Sequence, residues 1–502
     1  MEEFIHFLRL HDHWSVGVLD RPNPKSWQRK EIRSLLSQTN PRKGKLDVQF
    51  EDLPEDVPCI IFSKLELKEV VKSSILSSKW RNTWTICSKL RFDASKMYKH
   101  LTWRYYITKF IDHVNRVLKL QHGKVVETLE IKVDFGSILA VHLDNWVSFA
   151  AASCTKNLAL ELVPRYYWNR IDRYVFPFEL LDGEATSRLQ QIQLSFVSFK
   201  LPYQFSGFPK LKRLDLYSLR VTRTDLQDLL SSCSKLEWLS IAKCDLEDEV
   251  IVDRPLSHLL YLRVARCKMT KIELDAANLR TFIYNGTQLP APTIQAQELK
   301  DADLVVTNFT TFEHALTVLP KMFARSSALL GKSSKFSQLK HLKLLLCHTP
   351  EDLDNILSLA SFLRAAPLIE ELEIHFSISG GGNADIGRLR NLPKCPYKHM
   401  RSICITGFNG IQGQAELLVH AVKNATALEV LTIDTGNKNA KRQETVGEHS
   451  VPHGRVQPLL AAARLLRPQA QLASSSTVCH QANASPSTST TPVTLTDQVT
   501  TD

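Results

Sequence analysis

Along most of the chain, apolar and polar residues alternate over three-residue stretches, the period-2 signature of short strands with one buried face. These stretches are Leu129-Glu-Ile131, Leu160-Glu-Leu162, Ile192-Gln-Leu194, Leu214-Asp-Leu216, Leu239-Ser-Ile241 and Leu262-Arg-Val264. After a long gap they resume at Leu342-Lys-Leu344, Leu372-Glu-Ile374, Ile403-Cys-Ile405 and Leu431-Thr-Ile433. Within the gap, Leu279 to Tyr284 and Leu304 to Val306 supply two degenerate strands. Elsewhere the period becomes helical. Ile107, Phe110, Ile111, Val114, Val117 and Leu118 line one face of an amphipathic helix that ends near Gly123. Leu226, Leu229 and Leu230 predict a helix capped by Thr224, and Leu353 to Leu363 and Ala415 to Val422 predict two more.

The strands recur about every 20 to 30 residues, a period that marks a solenoid of leucine-rich repeats built from strand, turn and helix. Cys244, Cys267 and Cys347 each stand five residues after a first strand leucine, at Leu239, Leu262 and Leu342. Such repeats place Asn or Cys there, where the chain turns inward and a small side chain bonds the backbone. A metal site would need the three thiols to converge, whereas a solenoid stacks them in separate repeats. The two outer residues of each stretch face the core, so the middle and preceding residues line the concave side. The preceding positions form a column of Arg213, Trp238, Tyr261, His341 and Glu371, and the middle positions one of Asp215, Ser240, Arg263, Lys343 and Glu373. An aromatic pair flanked by arginines has the composition of an interface hot spot. The competing reading is that Trp238 and Tyr261 only cover neighbouring repeats, and the sequence leaves both open. The candidate substrate-binding residues are Arg213, Asp215, Trp238, Tyr261, Arg263, His341 and Lys343.

Ahead of the strands, Leu53 to Trp84 has a different character. Pro54 suits the first turn of a helix, and Glu55 and Asp56 lie near its positive end. Val57, Ile60, Ile61 and Leu65 recur at helical spacing, as do Val70, Val71, Ser74, Ile75 and Ser78 after a break at Glu66. Two short helices are implied, and a unit of roughly 40 residues buries too little to stand alone, so the segment is built to dock. It resembles the F-box of plant proteins that also carry leucine-rich repeats and a C-terminal FBD region. The residues in common are Leu53, Pro54, Asp56, Ile61, Leu65, Leu67, Lys68, Glu69, Ser74, Leu76, Ser77, Lys79, Trp80, Arg81 and Trp84, while Pro58 stands where that family has a large aliphatic residue. A second stretch resembles the FBD region: the strand Ile403 to Ile405, the turn Thr406-Gly407-Phe408, the helix through Leu417 and Leu418, and the closing run Leu428 to Ile433.

The resemblance implies a substrate-recognition subunit of an SCF-type, cullin–RING ubiquitin ligase. Leu53, Pro54, Val57, Ile61, Leu65, Leu76 and Trp80 would dock on the Skp-type adaptor and through it a cullin, while the repeats bind a protein substrate. The alternative is a leucine-rich-repeat scaffold or ligand-binding protein whose F-box is degenerate, Pro58 being the lesion. No catalytic residue and no cofactor is expected: H-E-x-x-H, G-x-S-x-G and G-x-G-x-x-G are all missing, and Gly331-Lys-Ser333 lacks the earlier glycine of a phosphate loop, having Ser326 instead.

Composition narrows the setting. With 43% hydrophobic and 23% charged residues the chain is ordinary for a soluble protein. No run of 18 apolar residues suggests a membrane span, and MEEFIHFLRL is too acidic and interrupted for a secretory signal. Ten cysteines without a C-x-x-C pair, and His11 and His13 without a third ligand, argue for free thiols, no metal and a cytoplasmic or nuclear location. The net charge of +11 is spread along the chain rather than gathered into a stripe, so no nucleic-acid partner is expected. The expected layout is α/β: a flexible N-terminal segment (1–50), a small helical F-box (51–97), a bridging helix and irregular leucine-rich-repeat solenoid with parallel strands on its concave face (104–392), an FBD-like region (393–436) and a disordered C-terminal tail (437–502), the tail being a departure from the family pattern.

Overall fold

The computed structural model describes residues 57–73, 87–306, 338–348, 359–378 and 390–434, each range with short interruptions, and the dipeptides 477–478 and 493–494. The expectations for residues 1–50, Leu53 and Pro54, the stretch 74–86 and nearly all of 437–502 lie outside the described residues. Thr477–Val478 and Val493–Thr494 form a two-residue antiparallel pair. The chain divides into two compact units, residues 1–134 with 141–158, and residues 135–140 with 159–502.

In the first unit, helix α1 (Leu67–Ser73) and the short helix α2 (Ala94–Met97) flank strand β1 (Lys89–Asp93), which pairs in parallel with β2 (Thr128–Lys132), Leu90 opposite Leu129 and Phe92 opposite Ile131. Strand β1 falls inside the span expected to be a helical F-box, and its inward pair Leu90 and Phe92 adds one strand to those the periodicity predicts. The predicted amphipathic helix is α3 (Trp103–Lys119), and all six of its predicted apolar positions are buried. Its neighbour α4 (Ala140–Ala152) locks onto it through Trp146, whose Nε1 donates to Asn115 Oδ1 at 2.8 Å and whose ring meets Phe110 edge-on.

Strand β3 (Asn157–Glu161) begins in the first unit and ends in the second, where a single parallel ladder runs on through β5 (Gln191–Ser195), β7 (Arg213–Tyr217), β8 (Trp238–Ala242), β10 (Tyr261–Ala265), β12 (Thr281–Gly286), β14 (Asp301–Val306), β15 (His341–His348), β16 (Glu371–Ile378), β17 (Ser402–Thr406) and β18 (Val430–Asp434). The gap before Leu342 is thus filled by β12 and β14, in register with their neighbours. In β3 the predicted pair is displaced: the strand ends at Glu161, so Leu158 and Leu160 are the pair inside it, and Leu162 is buried just beyond.

The backbone just past each strand explains the cysteines. Phe196, Ser218, Lys243 and Arg266 each come directly after a strand and each has a left-handed backbone, with φ of 60, 54, 53 and 54°. That single kink sends the next residue inward, so Val197, Leu219, Cys244 and Cys267 are buried one above another. Cys244 Sγ donates to Leu216 O and Ala242 O, Cys267 Sγ to Ile241 O and Ala265 O, and the Cys244 N–H reaches Cys267 Sγ at 3.4 Å. Cys347 departs from this scheme, because β15 continues through it to His348 and pairs it with Ser377.

The return segments are only partly helical. Helix α5 (Arg223–Ser231) is capped by Thr222, whose Oγ1 accepts from the Asp225 N–H at 3.2 Å; Thr224, the predicted cap, already lies within the first turn. Between β8 and β14 the returns are strands, not helices: β9 (Asp245–Ile251), β11 (Lys268–Asp275) and β13 (Ala291–Gln295) form a second parallel sheet. Two further short strands, β4 (Tyr174–Val175) and β6 (Val197–Ser198), also pair in parallel. Of the helix predicted over Leu353 to Leu363, residues 359, 360 and 363 are described and helical.

Helix α6 (Gln412–Asn424), in the FBD-like region, buries polar side chains that are all satisfied locally. Gln414 Oε1 accepts from the Asn409 N–H, Glu416 takes the Arg390 guanidinium and backbone N–H, and His420 Nε2 lies 2.9 Å from the Tyr397 hydroxyl. Burial, reinforced by the Arg364 charge, lowers the pKa of His420, so the imidazole is held neutral. Below about pH 6.5 the unfolded chain takes up a proton that the folded chain refuses. Stability is therefore expected to fall as the pH drops below about 6.5, by at most about 1.4 kcal/mol per pH unit from this group. His113, lowered chiefly by burial, adds in the same direction. Thermal unfolding against pH should show the slope, and His420→Gln should reduce it.

Candidate functional site

Two surfaces contain the candidate residues. On the first, Val57 and Ile60 to Phe62 are helical. Phe62 turns into the unit and Val70 of α1 is fully buried, whereas Ile60 is 60% and Ile61 36% exposed. Val57 and Leu65 are half-buried, and the Leu65 N–H bonds Phe62 O at 3.1 Å, ending the turn. Val57, Ile60 and Ile61 are one helical patch by their spacing, three and four residues apart. Of the candidate adaptor-binding residues, Leu53, Pro54, Leu76 and Trp80 lie outside the described residues. Ile60, absent from that set, is the most exposed of the described aliphatic residues here; its place in the periodic run was the signal.

The second surface is the open face of the ladder. Registers place Arg213, Trp238, Tyr261, Thr281, Asp301, His341 and Glu371 directly abreast, and Asp215, Ser240, Arg263, Ile283, Asp303, Lys343 and Glu373 in the next column. The two predicted columns are therefore real, with four more members supplied by β12 and β14. Trp238 and Tyr261 stack with ring centroids 3.4 Å apart and planes 7° apart, and the Arg213 guanidinium lies 4.3 Å from the Trp238 centroid. Asp215 holds this stack from below: its Oδ2 takes Arg213 Nε at 2.6 Å and its Oδ1 the Trp238 indole N–H at 3.0 Å. The three rings and planes thus cover one another, yet all remain half-exposed, so the stack is both a cover for the repeats and a rigid apolar platform.

Beyond Tyr261 the face becomes acidic. Asp301 accepts from Thr281 Oγ1 at 3.2 Å and lies 2.5 Å from His341 Nδ1. Glu373 pairs with Lys343 Nζ at 3.1 Å and with His375 Nε2 at 2.7 Å, and His375 Nδ1 lies 2.6 Å from the Thr406 hydroxyl. The candidates thus separate into two groups on one face: Arg213, Asp215, Trp238 and Tyr261 in the stack with Arg263 beside it, and His341 with Lys343 in the acidic part.

Among the described residues no group of three His, Cys, Asp or Glu is placed to hold a metal ion, and no helix is long and apolar enough to cross a membrane. Burial pushes the Cys233 thiol up to about 12 and Cys244 well above the ordinary range, while a hydrogen bond from Cys244 lowers Cys267.

One parallel strand per repeat, a left-handed residue after it and a buried side chain at the inward turn define a leucine-rich-repeat protein. The chain belongs to the leucine-rich-repeat family described as At1g61320/AtMIF1, LRR domain, whose model matches residues 117–464, and an F-box domain model matches residues 50–92. Three relatives from Arabidopsis thaliana have an F-box and an FBD region in their names, and two of them leucine-rich repeats as well. The F-box/FBD/LRR-repeat protein At1g13570 is 23% identical over 414 residues, covering 78% of this chain and 92% of the relative. The probable FBD-associated F-box protein At1g32375 is 21% identical over 422 residues, 79% of this chain and 94% of the relative. The F-box/FBD/LRR-repeat protein At3g14710 is 23% identical over 425 residues, 78% and 88% respectively. The resemblance to plant F-box proteins with repeats and an FBD region is thereby established, and the repeat match extends past Gly436, where the FBD-like region was expected to end.

Proposed function

We propose that this chain is the substrate-recognition subunit of an SCF-type ubiquitin ligase, with the F-box docking on a Skp-type adaptor and the repeats selecting a protein substrate. The observation that supports this is the pairing of an F-box match at 50–92, with Ile60 and Ile61 exposed on its helix, with a repeat ladder whose open face carries a rigid aromatic platform. The chain performs no chemistry in this scheme. It raises the effective concentration of a substrate lysine near a charged ubiquitin-conjugating enzyme, in the cytoplasm or nucleus. Val57, Ile61 and Leu65 contact the adaptor together with Leu53, Pro54, Leu76 and Trp80, while Arg213, Asp215, Trp238, Tyr261, Arg263, His341 and Lys343 face the substrate.

Mixing the purified full chain with a plant Skp-type adaptor and a cullin tests the reading. A complex of all three eluting together in gel filtration is the expected result. A folded chain that elutes alone, apart from adaptor and cullin, removes the ligase assignment and leaves a repeat scaffold.

A further inference from the structure

Between Tyr261 and His341 the open face of the ladder carries short side chains, Thr281 on β12 and Asp301 on β14, and the surface sinks into a depression of about 170 Å³. That is room for about five waters at liquid density, or for one cationic side-chain head with its methylenes. Its polar lining is unbalanced: Asp301, Asp303, Glu371 and Glu373 face only His341 and Lys343. Asp301 is met by Thr281 and His341, and Glu373 by Lys343 and His375. Asp303 differs from both, because its Oδ1 is shielded from water and receives no hydrogen bond. Burial raises its pKa against the opposing pull of Lys343 and with the help of Glu373. A shielded carboxylate oxygen without a donor is costly and is relieved by a cation brought to it.

The excess of carboxylate repels phosphate, although the chain as a whole is basic. No three ligating groups converge for a metal ion among the described residues. An organic cation remains. The aromatic platform of Trp238 and Tyr261 continues the same face one strand away, which favours an extended protein segment over a small free ion.

We infer that this depression receives the charged head of a lysine or arginine side chain from the partner protein, while the neighbouring residues of that partner lie over the Trp238–Tyr261 stack. The inference rests on the reading of the repeats as the partner-selecting half of the molecule, and names the chemistry they select. A cation here pairs with Asp303 and Glu371, and the stack fixes where along the face it must be presented.

An array of immobilised randomised 12-residue peptides, probed with the purified full chain, tests this. Bound peptides should be enriched in Lys or Arg at one position, and Asp303→Asn should weaken the best of them by about tenfold or more. The same peptide with norleucine in place of that Lys or Arg should bind wild type and Asp303→Asn equally. Glu273→Gln, an equal change of charge on the second sheet, should change nothing. Asp303→Asn removes an unsatisfied charge, so its melting temperature should equal or exceed that of wild type; Glu371→Gln at the rim repeats the test should that variant fail to fold. Absence of peptide binding, no Lys or Arg preference, equal losses for Asp303→Asn and Glu273→Gln, or displacement of peptide by micromolar spermidine would each overturn the inference. Adaptor capture is read on the same preparation: its loss with the Lys or Arg preference intact removes the ligase reading alone, and its presence without that preference removes this inference alone.

Discussion

Replacing Ile60 and Ile61 together by aspartate is expected to abolish capture of the Skp-type adaptor while leaving thermal unfolding of the chain nearly unchanged. Both side chains already face outward, so the folded chain loses little apolar burial. In a docked complex the same two positions would be desolvated, and two unpaired carboxylates there cost several kcal/mol, on the order of a thousandfold in affinity. Phe62 supplies the contrast. Being buried, Phe62→Ala should lower the melting temperature and weaken adaptor binding only as far as the first unit loosens. Adaptor binding by Ile60→Asp/Ile61→Asp within threefold of wild type, measured by surface plasmon resonance, would show that this patch is not the docking surface.

The largest effect on stability is expected at Gly407. Its φ is +67°, and a Cβ built on it would collide with the backbone oxygen of Phe376. Phe376 cannot withdraw, because β16 is paired on both sides, with Leu346 opposite Phe376 itself and with β17 through Ile374 and Ile405. Gly407→Ala should therefore cost about 3–5 kcal/mol, the sum of an unfavourable backbone region and a clash with fixed backbone. Gly183 separates the two contributions: its φ is +61° but nothing lies within 4 Å of a Cβ there. Gly183→Ala should cost only about 1 kcal/mol. Because repeat arrays can melt in parts, hydrogen exchange in β16, β17 and β18 is the measurement to make. Equal protection of those strands in Gly407→Ala and wild type would refute the close contact.

How much of this was readable beforehand depends on where the restoring force acts. Strand positions and the identity of the open-face columns were legible, because burying alternate residues imposes period 2 on the sequence itself. The inward turn at Cys244 and Cys267 was legible for the same local reason. The failures have a common origin. In β3, Leu158, Leu160 and Leu162 all satisfy the alternation, and only pairing with neighbours decides which two are in the ladder. In β14, Ala302 takes a leucine's place, so Asp301 and Asp303 were invisible as members of the columns until β12 and β15 aligned them.

The sequence by itself determined that the chain has an F-box segment followed by strand repeats, and which side chains those repeats expose. It did so because turn, cap and alternation are local consequences of backbone geometry. Only the tertiary structure decided that Arg213, Trp238 and Tyr261 stack, that the returns between β8 and β14 are a second sheet, and that Oδ1 of Asp303 is shielded from water without a donor. Those facts depend on residues 20 or more positions apart meeting at hydrogen-bond and van der Waals range, and no local pattern encodes such distances.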